Sequence, residues 1–124
     1  DQSNPSTYYG PDSSCVCSLV ADGCHIEGQV ENSIISRGVT IEPGAKVVNN
    51  VLMQGAVVKA GADVSYAIVA ENAVIEANAH VGSAPDDSPD WGIAVVAGGV
   101  TIGAGATVAP RAMIREDVKG GEQA

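Results

Sequence analysis

The chain has 124 residues, of which 45% are apolar and 3% aromatic, and its formal net charge is −9. A chain of this length forms one domain at most, and its interior must be narrow because Val, Ile, Leu and Ala are available to fill it. The acidic balance, with six Lys and Arg in total, argues against a nucleic-acid partner, and no apolar run reaches the length of a membrane span, so neither partner is expected.

The N-terminal segment, residues 1–7, reads "DQSNPST" and is predicted to be a disordered tail. The chain opens on Asp1 rather than Met, which suggests a piece of a longer protein. Its three cysteines are too few for a disulfide scaffold and favour a reducing compartment, so a cytoplasmic location is expected.

From residue 8 onward, aliphatic side chains recur with a period of 17 residues, in steps of six, six and five. The central members are Ile35, Ile41, Val47, Leu52, Val58, Val64, Val69, Ile75 and Val81. The series extends back through Tyr9, Cys15, Val20, Ile26 and Val30, and resumes at Val96, Ile102, Val108 and Ile114. Three residues after most members comes Gly, Asn or Asp, the residue types that tolerate a left-handed backbone. We expect the series to point inward, with a corner at each of those residues.

Pro43 and Gly44 match the second and third positions of a type II turn. Three such units predict one triangular coil, and about six coils stacked at roughly 4.8 Å would form a prism about 25–30 Å tall. The predicted fold class is therefore all-β, a single-stranded parallel β-helix of hexapeptide repeats at residues 8–114, with a loop insertion at 82–92 and a C-terminal tail at 115–124. Arg111 is bulky for a corner, so that corner is expected to be strained or differently turned.

Residues on either side of an inward position point outward, because side chains alternate along a strand. One face of the prism is then lined by aliphatic side chains, whereas the other two are mixed or polar. The predicted interface residues on that face are Leu19, Ile34, Val51, Met53, Ile68 and Val95. An exposed apolar surface of a few hundred Å² usually marks an interaction site. We therefore predict a buried interface there, rather than aliphatic residues that are exposed singly.

His25 and His80 invite comparison with an acyltransferase, in which a histidine deprotonates the acceptor. They lie on different faces, and the pattern fixes no carboxylate beside either, so both are expected to be solvent-exposed surface residues. A zinc site of three histidines is excluded because the chain has two.

Cys15, Cys17 and Cys24 suggest a metal site, but Cys15 falls at an inward position and Cys24 at a small corner position. Core filling is the favoured interpretation, and no metal is expected. The insertion contains three aspartates among Pro and Ser residues, which is typical of a solvated loop. Trp91 is expected to anchor that loop to the prism or to a neighbouring subunit.

The stretches "YYGPDSS", "SLVADGCHIEGQVENSIISRGV", "VLMQGAVVKAGA" and "GIAVVAGGVTIGAGATV" resemble the C-terminal portion of bacterial glucose-1-phosphate adenylyltransferases. The resemblance covers residues 8–114 and implies that the β-helix is left-handed, which spacing alone does not show. It also implies a domain that follows a nucleotidyltransferase domain, packs against it and helps to assemble an effector-responsive tetramer. The whole enzyme would make ADP-glucose and pyrophosphate from ATP and glucose 1-phosphate for glycogen synthesis.

The sequence departs from this family by lacking the Gly-rich nucleotide loop and the metal-binding aspartates of the transferase domain. No catalytic residue and no cofactor site is therefore expected in this chain, and the implied Mg and ATP would belong to the catalytic domain. The implied partners are the chain's own N-terminal nucleotidyltransferase domain and further subunits, in a homo- or hetero-oligomer. The family has catalytic and non-catalytic subunits, and the chain could belong to either. Arg37 lies in the most specific stretch and is the candidate effector contact. The alternative function is a trimeric hexapeptide-repeat acyltransferase.

Overall fold

The computed structural model describes residues 6–124, which form a left-handed parallel β-helix with a triangular cross-section. Three six-stranded parallel sheets make its sides, and each sheet takes every third strand of the chain. The first sheet contains β1 (Tyr8–Tyr9), β4 (His25–Ile26), β7 (Thr40–Ile41), β10 (Val57–Val58), β13 (Val74–Ile75) and β16 (Thr101–Ile102). The second contains β2 (Ser14–Val16), β5 (Gln29–Glu31), β8 (Lys46–Val48), β11 (Asp63–Ser65), β14 (His80–Val81) and β17 (Thr107–Val108). The third contains β3 (Leu19–Val20), β6 (Ile34–Ile35), β9 (Val51–Leu52), β12 (Ala67–Val69), β15 (Ala94–Val96) and β18 (Met113–Ile114).

The predicted register is confirmed by the strand pairing. In the first sheet Ile41, Val58 and Ile75 are direct partners, and each is 0% exposed. Small corner residues such as Ala45 and Ala62 fill the space between these columns and are also fully buried. The core is therefore a narrow shaft of aliphatic side chains, as a composition poor in aromatic residues requires.

The first coil differs from the rest of the column. Tyr9, Cys15 and Val20 occupy the inward register, but Tyr9 and Cys15 are exposed and Val20 is only partly buried. Within residues 6–124, no strand pairs with the outer edges of β1, β2 and β3, so one side of each inward residue is uncovered. The expectation that Cys15 fills the core is wrong for this reason.

The corners use left-handed backbone angles as predicted. The Ala45 N–H donates to the Glu42 carbonyl over 3.2 Å, and Gly44 has φ +78°, which together make the predicted turn around Pro43. Arg111 adopts φ 71°, so its corner has the same left-handed conformation despite the bulky side chain. The remaining corner residues with positive φ that the sequence indicated are Gly23, Gly38, Gly55, Gly61, Asn72, Asn78, Gly99 and Gly105, whereas Asp12 is not among them.

In the first four coils, the corner that leads from the second sheet to the third has a different geometry, which sequence reasoning missed. Its left-handed residue follows the inward position by two rather than three, which explains the step of five residues. These left-handed residues are Cys17, Asn32, Asn49 and Tyr66.

Polar side chains stack along the inside of that corner. The Ser33 N–H donates to Ser18 Oγ over 3.0 Å, and the Asn50 N–H donates to Ser33 Oγ over 3.0 Å. Asn50 Oδ1 in turn accepts from the Ala67 N–H over 2.9 Å, while its Nδ2 donates to the Val64 carbonyl over 2.6 Å. Ser33 and Asn50 are 2% and 3% exposed, so this hydrogen-bonded column is part of the interior.

The C-terminal segment 115–124 differs from the predicted disordered tail. Val118 forms a parallel bridge with Ile102 and is 9% exposed, and Gln123 forms a parallel bridge with Thr107. The Val118 N–H donates to the Thr101 carbonyl over 3.0 Å and the Ala124 N–H to the Thr107 carbonyl over 2.8 Å, so the segment covers the last coil by continuing the same winding. Of the predicted N-terminal tail, residues 1–5 lie outside the described residues, and Thr7 Oγ1 donates to the Ala21 carbonyl over 2.7 Å.

Candidate interaction surface

The outward side chains of the third sheet form one apolar column along the prism. Strand pairing places Leu19, Ile34, Val51, Ile68, Val95 and Met113 in direct register, one from each strand. Met53 follows the inward Leu52 and lies beside this column. We call these seven outward side chains the apolar face. All six predicted interface residues are therefore brought together, and Met113 is an addition that its place directly before the inward Ile114 could have indicated.

The apolar face holds much of the exposed apolar surface of the described chain. Leu19 is 71% exposed, Ile34 50%, Met53 37% and Met113 62%. These are four of the eight large hydrophobic residues that are exposed within residues 6–124. A fifth, Ile93, lines a cavity of about 300 Å³ beside Ile34, Val51 and Ile68, with Asn32 and Asn49 at its border.

The backbone of the third sheet is already paired from coil to coil. The Ile34 N–H donates to the Asn50 carbonyl over 3.0 Å, and the Met53 N–H donates to the Val69 carbonyl over 2.8 Å. Any partner of this face would therefore contact its side chains and could not insert a strand between its coils.

On the outer sides of the other two sheets, acidic side chains lie beside basic ones or beside histidines, and both histidines have such a carboxylate neighbour. His25 Nε2 lies 2.7 Å from Glu27 Oε1, and the His25 ring stacks on Tyr8 with centroids 4.7 Å apart. His80 Nε2 lies 3.5 Å from Asp63 Oδ2. The histidines are exposed and on different sheets as predicted, but the expectation that no carboxylate lies beside them is wrong.

The signal for these pairs was present in the sequence. His25 and Glu27 flank the inward Ile26, so both point outward from one strand. Asp63 and His80 are one 17-residue period apart and are direct partners in the second sheet.

Arg37 is exposed at the corner that follows β6. Among the described residues, its guanidinium forms no ion pair within 4.0 Å. Lys59 and Arg111, in contrast, lie within that distance of Glu76 and Asp90. Its backbone carbonyl accepts from the Gly55 N–H over 3.0 Å, which fixes the corner. The structure therefore presents Arg37 to solvent beside the apolar face.

The three cysteines differ in their exposure to solvent, since Cys15 and Cys17 are exposed and Cys24 is buried. Cys24 is 3% exposed, with its Sγ 3.1 Å from the Ser36 carbonyl oxygen. Burial raises the pKa of the Cys15 thiol, although a hydrogen bond with Ser18 opposes that shift. Within residues 6–124, no group of three or more His, Cys, Asp or Glu side chains is placed to hold a metal ion.

The insertion is anchored to the prism by Trp91, as predicted. Trp91 Nε1 donates to the Ser83 carbonyl over 2.8 Å, and its ring packs edge-on against Tyr66 with centroids 5.7 Å apart. This contact sets the position of Ile93, which lines the cavity beside the apolar face. In the part of the chain that the structure describes, no helix is long and apolar enough to cross a membrane.

Curated relatives are similar to short parts of this chain. It is 43% identical over 44 residues to a glucose-1-phosphate adenylyltransferase of Clostridioides difficile, a match that covers 36% of this chain and 11% of that protein. A glucose-1-phosphate adenylyltransferase of Acetivibrio thermocellus is 46% identical over 44 residues, covering 36% of this chain and 10% of that protein. The glycogen biosynthesis protein GlgD of Bacillus subtilis is 49% identical over 43 residues, covering 35% of this chain and 12% of that protein. The matched segments thus span about a tenth of the length of these relatives.

Solved structures share the fold at low sequence identity. The acetyltransferase domain of PglB from Neisseria gonorrhoeae superposes with a TM-score of 0.65 at 17% identity, covering 97% of this chain and 54% of that one. GDP-perosamine N-acetyl transferase from Caulobacter crescentus superposes with a TM-score of 0.60 at 20% identity, covering 98% of this chain and 53% of that one. At such identities the likeness concerns the fold alone.

A family model described as "GlmU-like, C-terminal hexapeptide" matches residues 7–103, which is most of the chain. The match spans the coils from β1 to β16 and includes most of the corner residues and most of the apolar face. This chain belongs to the GlmU-like C-terminal hexapeptide family.

Proposed function

We propose that this chain is a non-catalytic assembly and regulatory domain of an enzyme related to glucose-1-phosphate adenylyltransferases. Its apolar face packs against the nucleotidyltransferase domain that precedes it in such enzymes. The observation that carries this proposal is the register of six apolar side chains, one from each strand of the third sheet. The 43–49% identity to glycogen-synthesis proteins over short segments supports the choice of enzyme.

The contrast between the three sheets supports an interface on one of them. The positions equivalent to the apolar column hold Gln29, Lys46, Asp63 and His80 on the second sheet, where neighbours of opposite charge, Lys46 and Asp63, are direct partners. A solvated sheet gains nothing from an unbroken apolar column, since each aliphatic side chain that stays in water forfeits about 1.5–3 kcal/mol of burial free energy.

The size of the face favours a tethered partner over a second copy. Six strands at about 4.8 Å spacing and five or six residues per side give an area on the order of 400–500 Å². Two such faces would bury about 900 Å² in total, below the roughly 1,200 Å² of a stable interface between separate proteins, so two isolated chains would associate only weakly and at high concentration. A domain on the same polypeptide requires less area, because the linker raises its effective concentration to about the millimolar range.

In this proposal the catalytic work lies outside the chain. The transferase domain would bind ATP, Mg and glucose 1-phosphate and form ADP-glucose and pyrophosphate, in a cytoplasmic homo- or hetero-oligomer such as the family's tetramer. The chain would fix the position of that domain and pass on the effect of a metabolite. Arg37 is the proposed effector contact, since an exposed guanidinium without an ion pair among the described residues suits an anionic ligand.

A second candidate is a hexapeptide-repeat acyltransferase, which the pairing of His25 with Glu27 at 2.7 Å favours. A carboxylate that accepts from one ring nitrogen can orient a histidine so that its other nitrogen takes a proton from an acceptor. This candidate requires binding of acetyl-CoA, which the first does not.

One set of measurements separates the two candidates. The complete reading frame that contains this chain is expressed, and ADP-glucose formation from ATP and glucose 1-phosphate is measured alone and with a catalytic subunit. We expect that the expressed protein forms ADP-glucose by itself or raises the rate at which the catalytic subunit forms it. We expect no binding of acetyl-CoA in a calorimetric titration. Absence of any effect on ADP-glucose, together with acetyl-CoA turnover that His25→Ala abolishes and His80→Ala leaves intact, would support the acyltransferase instead.

A further inference from the structure

Both methionines of the chain lie on the apolar face. Met53 and Met113 are the two methionines of the sequence, and both are exposed. A methionine thioether is the apolar side-chain group that a mild oxidant converts most readily into a polar one. An oxidant in solution therefore has access to the one surface of this chain whose apolar character matters for the proposed function.

Met53 holds a special position on that face. The equivalent outward positions in the other coils, after the inward residue of each third-sheet strand, are occupied by Ala21, Ser36, Ala70, Ala97 and, on the last strand, Arg115. Met53 is thus the single long apolar side chain in this column and lies between small residues, at the third of six strands. A partner that covers the face has to bury Met53 near the centre of the contact, whereas Met113 lies on the last strand at its end.

We propose that Met53 is an oxidation site that controls docking of the apolar face, an inference that rests on the proposed function of that face as an interface. Before the face is covered, the Met53 sulfur attacks one oxygen of hydrogen peroxide, and the O–O bond breaks. The sulfur loses two electrons and keeps that oxygen as a sulfoxide, and the other oxygen leaves as hydroxide and takes the remaining proton to form water. Methionine sulfoxide reductases reverse the change.

The sulfoxide weakens docking because it replaces an apolar thioether with a strongly polar S=O group near the centre of the contact. The N–H of Met53 is already committed to the Val69 carbonyl, Ala70 has no side-chain donor, and the Ser36 hydroxyl is the donor that flanks Met53 in this column. A sulfoxide oxygen accepts more than one hydrogen bond, so its burial still leaves acceptor capacity unsatisfied and weakens association by roughly tenfold to a hundredfold.

The experiment uses the chain as it is, at concentrations where the uncovered faces associate with one another, and measures the dissociation constant by sedimentation equilibrium. Wild type, Met53→Leu and Met113→Leu are compared before and after hydrogen peroxide, with mass spectrometry of peptides to locate the added oxygens. All three keep the cysteines and Trp91, so oxidation elsewhere affects them equally.

We expect peroxide to raise the dissociation constant at least tenfold in wild type and in Met113→Leu, to leave Met53→Leu within twofold, and reductase treatment to restore wild type. An equal rise in Met53→Leu, or no rise in wild type with Met53 fully oxidised, would overturn the proposal. Unoxidised Ile34→Asp distinguishes a failure of the oxidation proposal from a failure of the interface proposal. If it weakens association while oxidised wild type does not, the oxidation site alone is wrong. If neither change weakens association, the face is not an interface and both proposals fall.

Discussion

Replacing Asn50 with Leu should destabilise the prism more than any surface change, because Asn50 connects two coils through its side chain. Its amide donates to the Val64 carbonyl over 2.6 Å and accepts from the Ala67 N–H over 2.9 Å, at 3% exposure. Leucine has a similar volume but leaves both backbone groups buried without partners. At about 1–3 kcal/mol for each orphaned group, the free energy of unfolding should fall by about 2–6 kcal/mol.

The assay is thermal unfolding followed by circular dichroism, with urea titration as a second measure. A loss of that size should lower the Tm by roughly 10–20 °C for a chain of this length. Asn49→Gly is the matched control, since Asn49 adopts φ 58° at the neighbouring corner position and glycine accepts that angle, so its Tm should change by only a few degrees. Asn50→Leu with a Tm as close to wild type as Asn49→Gly would refute the view that the polar column holds the corner together.

Three further predictions concern the shaft, the last corner and the thiols. Ile75→Ala removes a fully buried column residue and should cost about 2–5 kcal/mol in urea unfolding, and a cost below 1 kcal/mol would contradict the buried register. Arg111→Gly relieves a left-handed φ of 71° on a bulky residue and should leave stability unchanged or raise it by about 1 kcal/mol, whereas clear destabilisation would show that the arginine side chain supports that corner. Because burial raises the pKa of Cys15, its alkylation rate in a Cys17→Ser, Cys24→Ser variant should keep rising with pH beyond the range where an ordinary thiol levels off. A plateau at or below the pH at which a free cysteine reaches its full rate would contradict the partial burial of this thiol.

The regular part of the fold was predictable because one physical rule repeats. An inward aliphatic and a residue that tolerates positive φ recur together, so the columns through Ile41, Val58 and Ile75 followed from spacing alone. The apolar face followed from the same register, since outward positions are fixed once the inward ones are known.

The parts that escaped prediction are those where the repeat changes or ends. The corner at Asn32 and Asn49 uses a left-handed residue one position earlier. The step of five residues marks that corner, but apolar spacing does not show which residue takes the left-handed angle. Cys15 obeys the register but lies in a coil covered on one side only, and burial depends on neighbours that a local pattern does not count. Residues 115–124 lack the apolar spacing of the repeat, yet backbone pairing at Val118 and Gln123 orders them.

The most direct test of the account is the mass of the chain in solution when its apolar face is made charged. Ile34→Asp with Ile68→Asp changes the two coils of the third sheet that flank Val51, and Val57→Asp with Val74→Asp introduces the same two charges at outward positions in adjacent coils of the first sheet. Light scattering over a range of concentrations should show that the first pair abolishes association of the isolated chain, while the second pair behaves as wild type. Equal masses for wild type and the Ile34, Ile68 variant, or an equal loss in both double variants, would contradict the assignment of the apolar face as the interface.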